Sequence, residues 1–176
     1  MTRPFIHKLW VEKSVKSFSF TQSIIDRLQV STEYIDDAEA LWRQAQNSVQ
    51  ARDWQGHALL ARQRGPFLRL CPGTQKHICC LYYNLDVAAG CDLGCSYCIL
   101  QGYLNSPLLT FYCNLDDLFK ELEQKLASPR FFRIGTGELT DSLTFDHITH
   151  QSSHLVTYFA RKSNAIIELK SKNIHI

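Results

Sequence analysis

What this sequence lacks narrows it first. It has no run of about eighteen uninterrupted apolar residues, so no membrane-spanning helix is expected. It has little excess charge: a formal +2 over 176 residues does not by itself argue for nucleic acid or an acidic membrane. The opening stretch MTRPFIHKLWVEKSV has neither a long apolar core nor a small-residue cleavage site, so no signal peptide is expected. A cytoplasmic, reducing compartment follows as the expectation. Disorder is excluded as well, because 45% of the residues are hydrophobic and only 20% are charged.

An even cysteine count is also missing. The seven cysteines stand at 71, 79, 80, 91, 95, 98 and 113. In a reducing compartment an odd number argues against a disulfide framework and for metal or redox chemistry. Cys113 reads as a small buried hydrophobe, and Cys71, Cys79 and Cys80 are given the same role. The stretch GCDLGCSYCILQGYL is different, with Cys91, Cys95 and Cys98 set in the spacing C-x3-C-x2-C and no fourth cysteine beside them. A structural zinc site needs four ligands, and a zinc ribbon shows two C-x2-C pairs where this loop has one. A cubane has four irons, so three thiolates leave one iron free for a small chelating ligand. A zinc site completed by Cys79, Cys80 or His77 is the competing reading.

Along the chain, FIHKLWVEKSV reads as a strand from residue 4 and FTQSIIDRLQV as a short helix. STEYIDDAEALWRQAQNSVQ follows a helical period, with Ser31 three residues before Tyr34. GPFLRLCPGT is extended and closed by a Pro-Gly turn. These elements make residues 1–75 an N-terminal α+β segment. From 76 to 176 strands and helices alternate: YYNLDVAAG, then a helix capped by Asn114 with Leu115, Leu118, Phe119, Leu122 and Leu126 on one face. RFFRIGTGE is the next strand, HLVTYFARKS the next helix and AIIELKSK the last strand. Such alternation predicts a parallel α/β sheet with its chemistry at the carboxyl ends of the strands. The cysteine loop and the GTGE loop both fall at such ends, so the two are expected to meet.

RIGTGELTD places Gly135 and Gly137 where backbone can approach a ligand, and Glu138 offers a carboxylate to an ammonium group. The pairing of this segment with C-x3-C-x2-C resembles the radical S-adenosylmethionine superfamily. Across LWVEKSV, CPGT…ICC, CSYCILQGYLN, NLDDLF, RIGTGELTDSL and IIELKSK the chain is similar to the spore photoproduct lyase-like family, whose members repair a UV-induced thymine adduct in DNA. The resemblance implies a partial parallel (β/α) barrel, truncated to its first part within 76–176. It implies a 4Fe–4S cluster on Cys91, Cys95 and Cys98, with S-adenosylmethionine chelating the open iron. Tyr97 would contact the adenosyl part, Glu138 and Thr140 would line the cofactor site beside Gly135 and Gly137, and Lys172 would face the cofactor carboxylate, with Lys170 as its competitor. The same chemistry implies an external reductant, a flavodoxin or ferredoxin, and DNA as substrate.

Two positions depart from the family pattern. Ile99 stands where a radical-relaying tyrosine follows the last cysteine, and Glu138 where a hydrogen-donating cysteine stands. These departures keep a second reading open: a catalytically incomplete zinc- or cluster-binding module that binds nucleic acid or a partner protein. Two further groups invite simpler readings. His147, His150 and His154 are spaced to share a helical face, but HITHQSSH reads as a polar helix start. Arg62, Arg64 and Arg69 could meet phosphate but read as a solvated strand face.

Overall fold

The computed structural model describes residues 6–48, 54–73, 76–104 and 106–173. Pro4 and Phe5 of the first predicted strand, Thr74 of CPGT and Asn105 of the GYLN segment lie outside the described residues. Two sheets form the frame. The first takes the order β2-β1-β3-β7-β6, from β1 (Lys8–Glu12), β2 (Ser31–Ile35), β3 (His57–Ala61), β6 (Ala88–Ala89) and β7 (Leu109–Tyr112). β1, β2, β3 and β7 are parallel, and β6 closes the edge antiparallel. The second takes the order β4-β5-β8-β9, from β4 (Leu68–Leu70), β5 (Tyr83–Leu85), β8 (Phe132–Gly135) and β9 (Ala165–Glu168). Here β5, β8 and β9 are parallel and β4 is antiparallel. β5 and β6 are nearly continuous, so residues 83–89 carry the chain from one sheet to the other. The first sheet joins strands from both sides of residue 75, since β3 pairs with β7.

The helices follow from apolar spacing. α4 (Leu115–Leu126) buries Leu118, Leu122 and Leu126, four residues apart, against Phe132, Ile134, Leu155 and Phe159. This packing fixes which face of the second sheet is covered. Phe132 and Ile134 point into the core, so Arg133 and Gly135 point the other way. α1 (Ser19–Leu28) covers the first sheet through Phe20 and Ile24 and stops where Gln29 turns left-handed. α2 (Ala38–Gln46) covers its other face through Leu41 and Ala45, and α3 (Leu100–Tyr103) is a short turn after the cysteine loop.

Three expectations need correction. Ser31–Ile35 is a strand, paired in parallel with Lys8–Glu12, and the helix starts only after Asp37, whose side chain caps the amides of Glu39 and Ala40. Asn114 precedes α4 but does not cap it with its side chain. That amide instead bridges the Gln63 backbone, accepting from its N–H and donating to its carbonyl. The histidine segment is no single helix: His150 is left-handed and separates α5 (Asp146–Thr149) from α6 (Gln151–Phe159), so His147 does not share a continuous face with His154.

The cysteines outside the loop also divide. Cys113 is fully buried, as expected, whereas Cys79 and Cys80 are exposed and Cys71 is half-buried. Burial pushes the Cys113 thiol up to about 12, so it stays protonated at pH 8 and its thiolate is not available to alkylate. Iodoacetamide at pH 8 should therefore modify Cys79 and Cys80 in the native chain and reach Cys113 only in denaturant. Rapid native labelling of Cys113, read by peptide mass, would contradict this.

Candidate cluster and cofactor site

β5, β8 and β9 run parallel, so their carboxyl ends deliver Asp86, the 136–138 loop and the 169–172 tail to one edge. The residues just after β6 begin the cysteine loop. The Gly90 amide donates to the Leu139 carbonyl at 2.9 Å, tying the start of that loop to the GTGE segment. Gly90 has φ +91°, and a Cβ there would meet Leu109 Cα at 3.2 Å, so both conformation and space require glycine. A second tie is Thr144, whose hydroxyl lies 3.2 Å from Asp92 Oδ1 and 3.7 Å from Cys91 Sγ. The two loops expected to converge do so.

Asp141 pins the third segment. Its carboxylate accepts from the Leu143 amide at 2.9 Å, the Ser171 hydroxyl at 2.8 Å and the Lys172 amide at 2.7 Å. Gly137, at φ +90°, lets the loop pass close to β9's tail, where a Cβ would meet Lys170 O at 3.1 Å. These contacts bring the Lys172 ammonium over the Tyr97 ring at 5.7 Å. Two of the predicted cofactor residues are thus neighbours. Thr140 is buried, and its hydroxyl reaches the Asp141 carbonyl at 3.3 Å.

Charge in the site centres on Asp86, which the sequence analysis did not single out, paired with Arg69 beside the expected Glu138. Arg69 donates from Nε to Asp86 Oδ2 at 2.6 Å and lies 3.5 Å from Glu138. Asp86 is 3% exposed and its other oxygen, Oδ1, has no hydrogen-bond partner among the described residues. Burial raises its pKa first; Arg69 opposes that rise and Glu138 adds to it. The three arginines keep solvent-exposed side chains, as expected, but each is paired: Arg62 with Asp117, Arg64 with Glu12, and Arg69 with Asp86. One signal for this pairing was present, an acid inside the apolar run YNLDVAA.

The donor set suits a cluster. Cys91, Cys95 and Cys98 are half-buried, and none is in a disulfide. Burial raises the Cys91 pKa, and the Leu93 and Asp141 amides and the Thr144 hydroxyl oppose that by stabilising the thiolate. Gly94, at φ +58°, turns the loop with open space beside it. Among the described residues, however, no three His, Cys, Asp or Glu side chains are gathered at metal-holding distance, so the loop sulfurs are not drawn to one point. An inorganic core would have to close them, as metal binding commonly orders its own ligand loop.

The family model for spore photoproduct lyase matches residues 74–176. Spore photoproduct lyase of Geobacillus sp. (strain Y412MC61) is 25% identical over 185 residues, covering 99% of this chain and 52% of that protein. A tyrosine-to-phenylalanine variant of spore photoproduct lyase superposes with a TM-score of 0.72 at 18% identity, over 98% of this chain and 52% of that one. A double variant solved with bound AdoMet and dinucleoside spore photoproduct superposes at 0.70, also at 18% identity, over 93% and 49%. The chain spans about half the length of the relatives it matches. Among the described residues no helix is long and apolar enough to cross a membrane. The partial α/β barrel architecture is shared along nearly the whole chain, and a family model covers more than half of it: this chain belongs to the spore photoproduct lyase family, within the radical S-adenosylmethionine superfamily.

Proposed function

We propose that this chain carries a 4Fe–4S cluster on Cys91, Cys95 and Cys98, binds S-adenosylmethionine along the GTGE segment, and acts on a thymine photoproduct of DNA by hydrogen abstraction. The observation that carries this reading is the direct link between the two loops, from the Gly90 amide to Leu139 and from Thr144 to Cys91. Held by Cys91, Cys95 and Cys98, a cluster would supply reducing electrons to a bound S-adenosylmethionine, the source of the radical chemistry. The chain's own residues hold and orient. Glu138 offers its carboxylate to the cofactor's ammonium group, which competes with the Arg69 guanidinium for it. Lys172, held by Asp141, offers an ammonium to the cofactor carboxylate, and Tyr97 supplies an aromatic face beside it. Gly135, Gly137 and Thr140 shape the backbone on which the cofactor lies. A flavodoxin or ferredoxin delivers the electron, and the chain works in the cytoplasm.

Anaerobic reconstitution with iron and sulfide tests this. About four irons per chain are expected, with a reducible spectrum that shifts on adding S-adenosylmethionine. Cys95→Ala should hold little iron and show no shift. A colourless protein with stoichiometric zinc would overturn the reading. One observation favours a second reading, a zinc- or cluster-binding module without turnover that binds nucleic acid or a partner protein: the three sulfurs are not gathered. Reductant-dependent formation of 5′-deoxyadenosine separates the two, since the module forms none.

A further inference from the structure

The second sheet carries a buried group with no assigned role. Tyr82 precedes β5 and is only 8% exposed, and its hydroxyl has no hydrogen-bond partner among the described residues. A buried O–H that bonds to nothing is rare and needs a reason. Its position supplies one. The hydroxyl lies where a side chain on Gly135 would be: an ideal Cβ there would sit 1.6 Å from it. The phenol therefore takes the side-chain place at the carboxyl end of β8, at the start of the GTGE loop and on the sheet face turned away from α4. Tyr83 points the other way and packs on Phe132 with ring centroids 5.9 Å apart.

Two cations flank the Tyr82 ring, with Lys170 Nζ 4.2 Å from its centroid and Arg133 Cζ 5.6 Å away. Positive charge over the ring opposes loss of an electron alone, because that would leave the ring positive. Loss of a whole hydrogen atom leaves it neutral and escapes that penalty. Lys170 is itself exposed, a flexible cover that an arriving ligand can displace.

We propose that Tyr82 is this chain's hydrogen-atom donor to the product carbon radical, an inference that rests on the radical reading above. The radical takes the phenolic hydrogen: the O–H bond breaks homolytically, a C–H bond forms, and the unpaired electron remains on a neutral phenoxyl. One electron from the external one-electron reductant and one solvent proton restore the phenol. This answers the absence of a cysteine at Glu138 and of a tyrosine at Ile99 without assigning the role to Cys79, Cys80 or Cys113.

The experiment uses the full chain, reconstituted anaerobically, with dithionite, S-adenosylmethionine and dinucleoside spore photoproduct in D2O. A phenolic hydrogen exchanges with solvent, so the wild-type chain should place one deuterium in each repaired dinucleotide. Tyr82→Phe should still form 5′-deoxyadenosine but lower deuterated product tenfold or more, whereas Tyr83→Phe should transfer deuterium as the wild type does. Deuterium transfer by Tyr82→Phe at the wild-type level overturns the donor assignment and leaves the radical reading standing. No 5′-deoxyadenosine from the wild-type chain overturns the radical reading and this inference with it. 5′-Deoxyadenosine without repaired dinucleotide overturns the substrate class and the donor role toward it.

Discussion

Replacing Arg69 with methionine should lower the stability of the fold by about 3 kcal/mol at neutral pH, the low end of the cost of breaking a buried ion pair. The low end applies because Arg69 is 48% exposed on its side chain, whereas Asp86 is 3% exposed. The loss comes from the carboxylate left behind. Asp86 Oδ1 already lacks a hydrogen-bond partner among the described residues, and removing the guanidinium leaves Oδ2 without its ion pair. Asp86→Asn should cost much less, about 1 kcal/mol, because no buried charge remains and Arg69 keeps Glu138 beside it. The two variants rank in opposite order if the pair matters chiefly for holding Arg69 in place.

The same pair has a pH signature. Burial raises the Asp86 pKa above its ordinary value, with Arg69 holding the rise in check. A raised acid contributes stability that is complete below its unfolded pKa and is lost as pH rises through the folded value. Without Arg69 the folded value climbs further, so Arg69→Met should fall furthest behind the wild type at neutral pH and regain ground in acid. Urea unfolding at pH 5 and pH 8 reads the difference. A deficit that is unchanged between them would show that the charge on Asp86 is not its source.

These residues mark what could and could not be read from the chain. α4 was legible because its leucines repeat at helical spacing and bury together. The meeting of the cysteine and GTGE loops was legible because strands that alternate with helices bring their carboxyl ends to one edge. Pairings between distant segments were not. Ser31–Ile35 is half-exposed and polar, and what makes it a strand is parallel pairing with Lys8–Glu12, supported by Lys8 and Glu33 at 2.8 Å. Arg69 and Asp86 meet only because β4 folds back on β5. The break at His150 depends on one left-handed residue that is not glycine. Tyr82 gained its place through the missing side chain of a residue two strands' worth of sequence away, which no local pattern reports.

Gly135→Ala tests that last relation. Gly135 is not among the positive-φ residues, so the absence of a Cβ is what it contributes here. An alanine methyl would stand 1.6 Å from the Tyr82 hydroxyl, 2.7 Å from Cζ and 3.2 Å from the Glu168 carbonyl. Asn84 and Gly135 are held in register, as are Gly135 and Glu168, so backbone movement opens little room on either side. The ring has to leave, and overpacking of this kind costs about 1–3 kcal/mol. In a Tyr82→Ala background the same substitution should cost much less, since only the 3.2 Å approach to the Glu168 carbonyl remains and alanine loses less backbone freedom on folding than glycine does. A double-mutant cycle on thermal or urea unfolding should therefore return a coupling of about 2 kcal/mol, in the range that contacting residues show. Additive effects would mean that the phenol does not occupy the space over Gly135. A displaced phenol also cannot reach a radical at the end of β8, so Gly135→Ala should lose solvent deuterium in the product while Tyr82 itself remains in the chain.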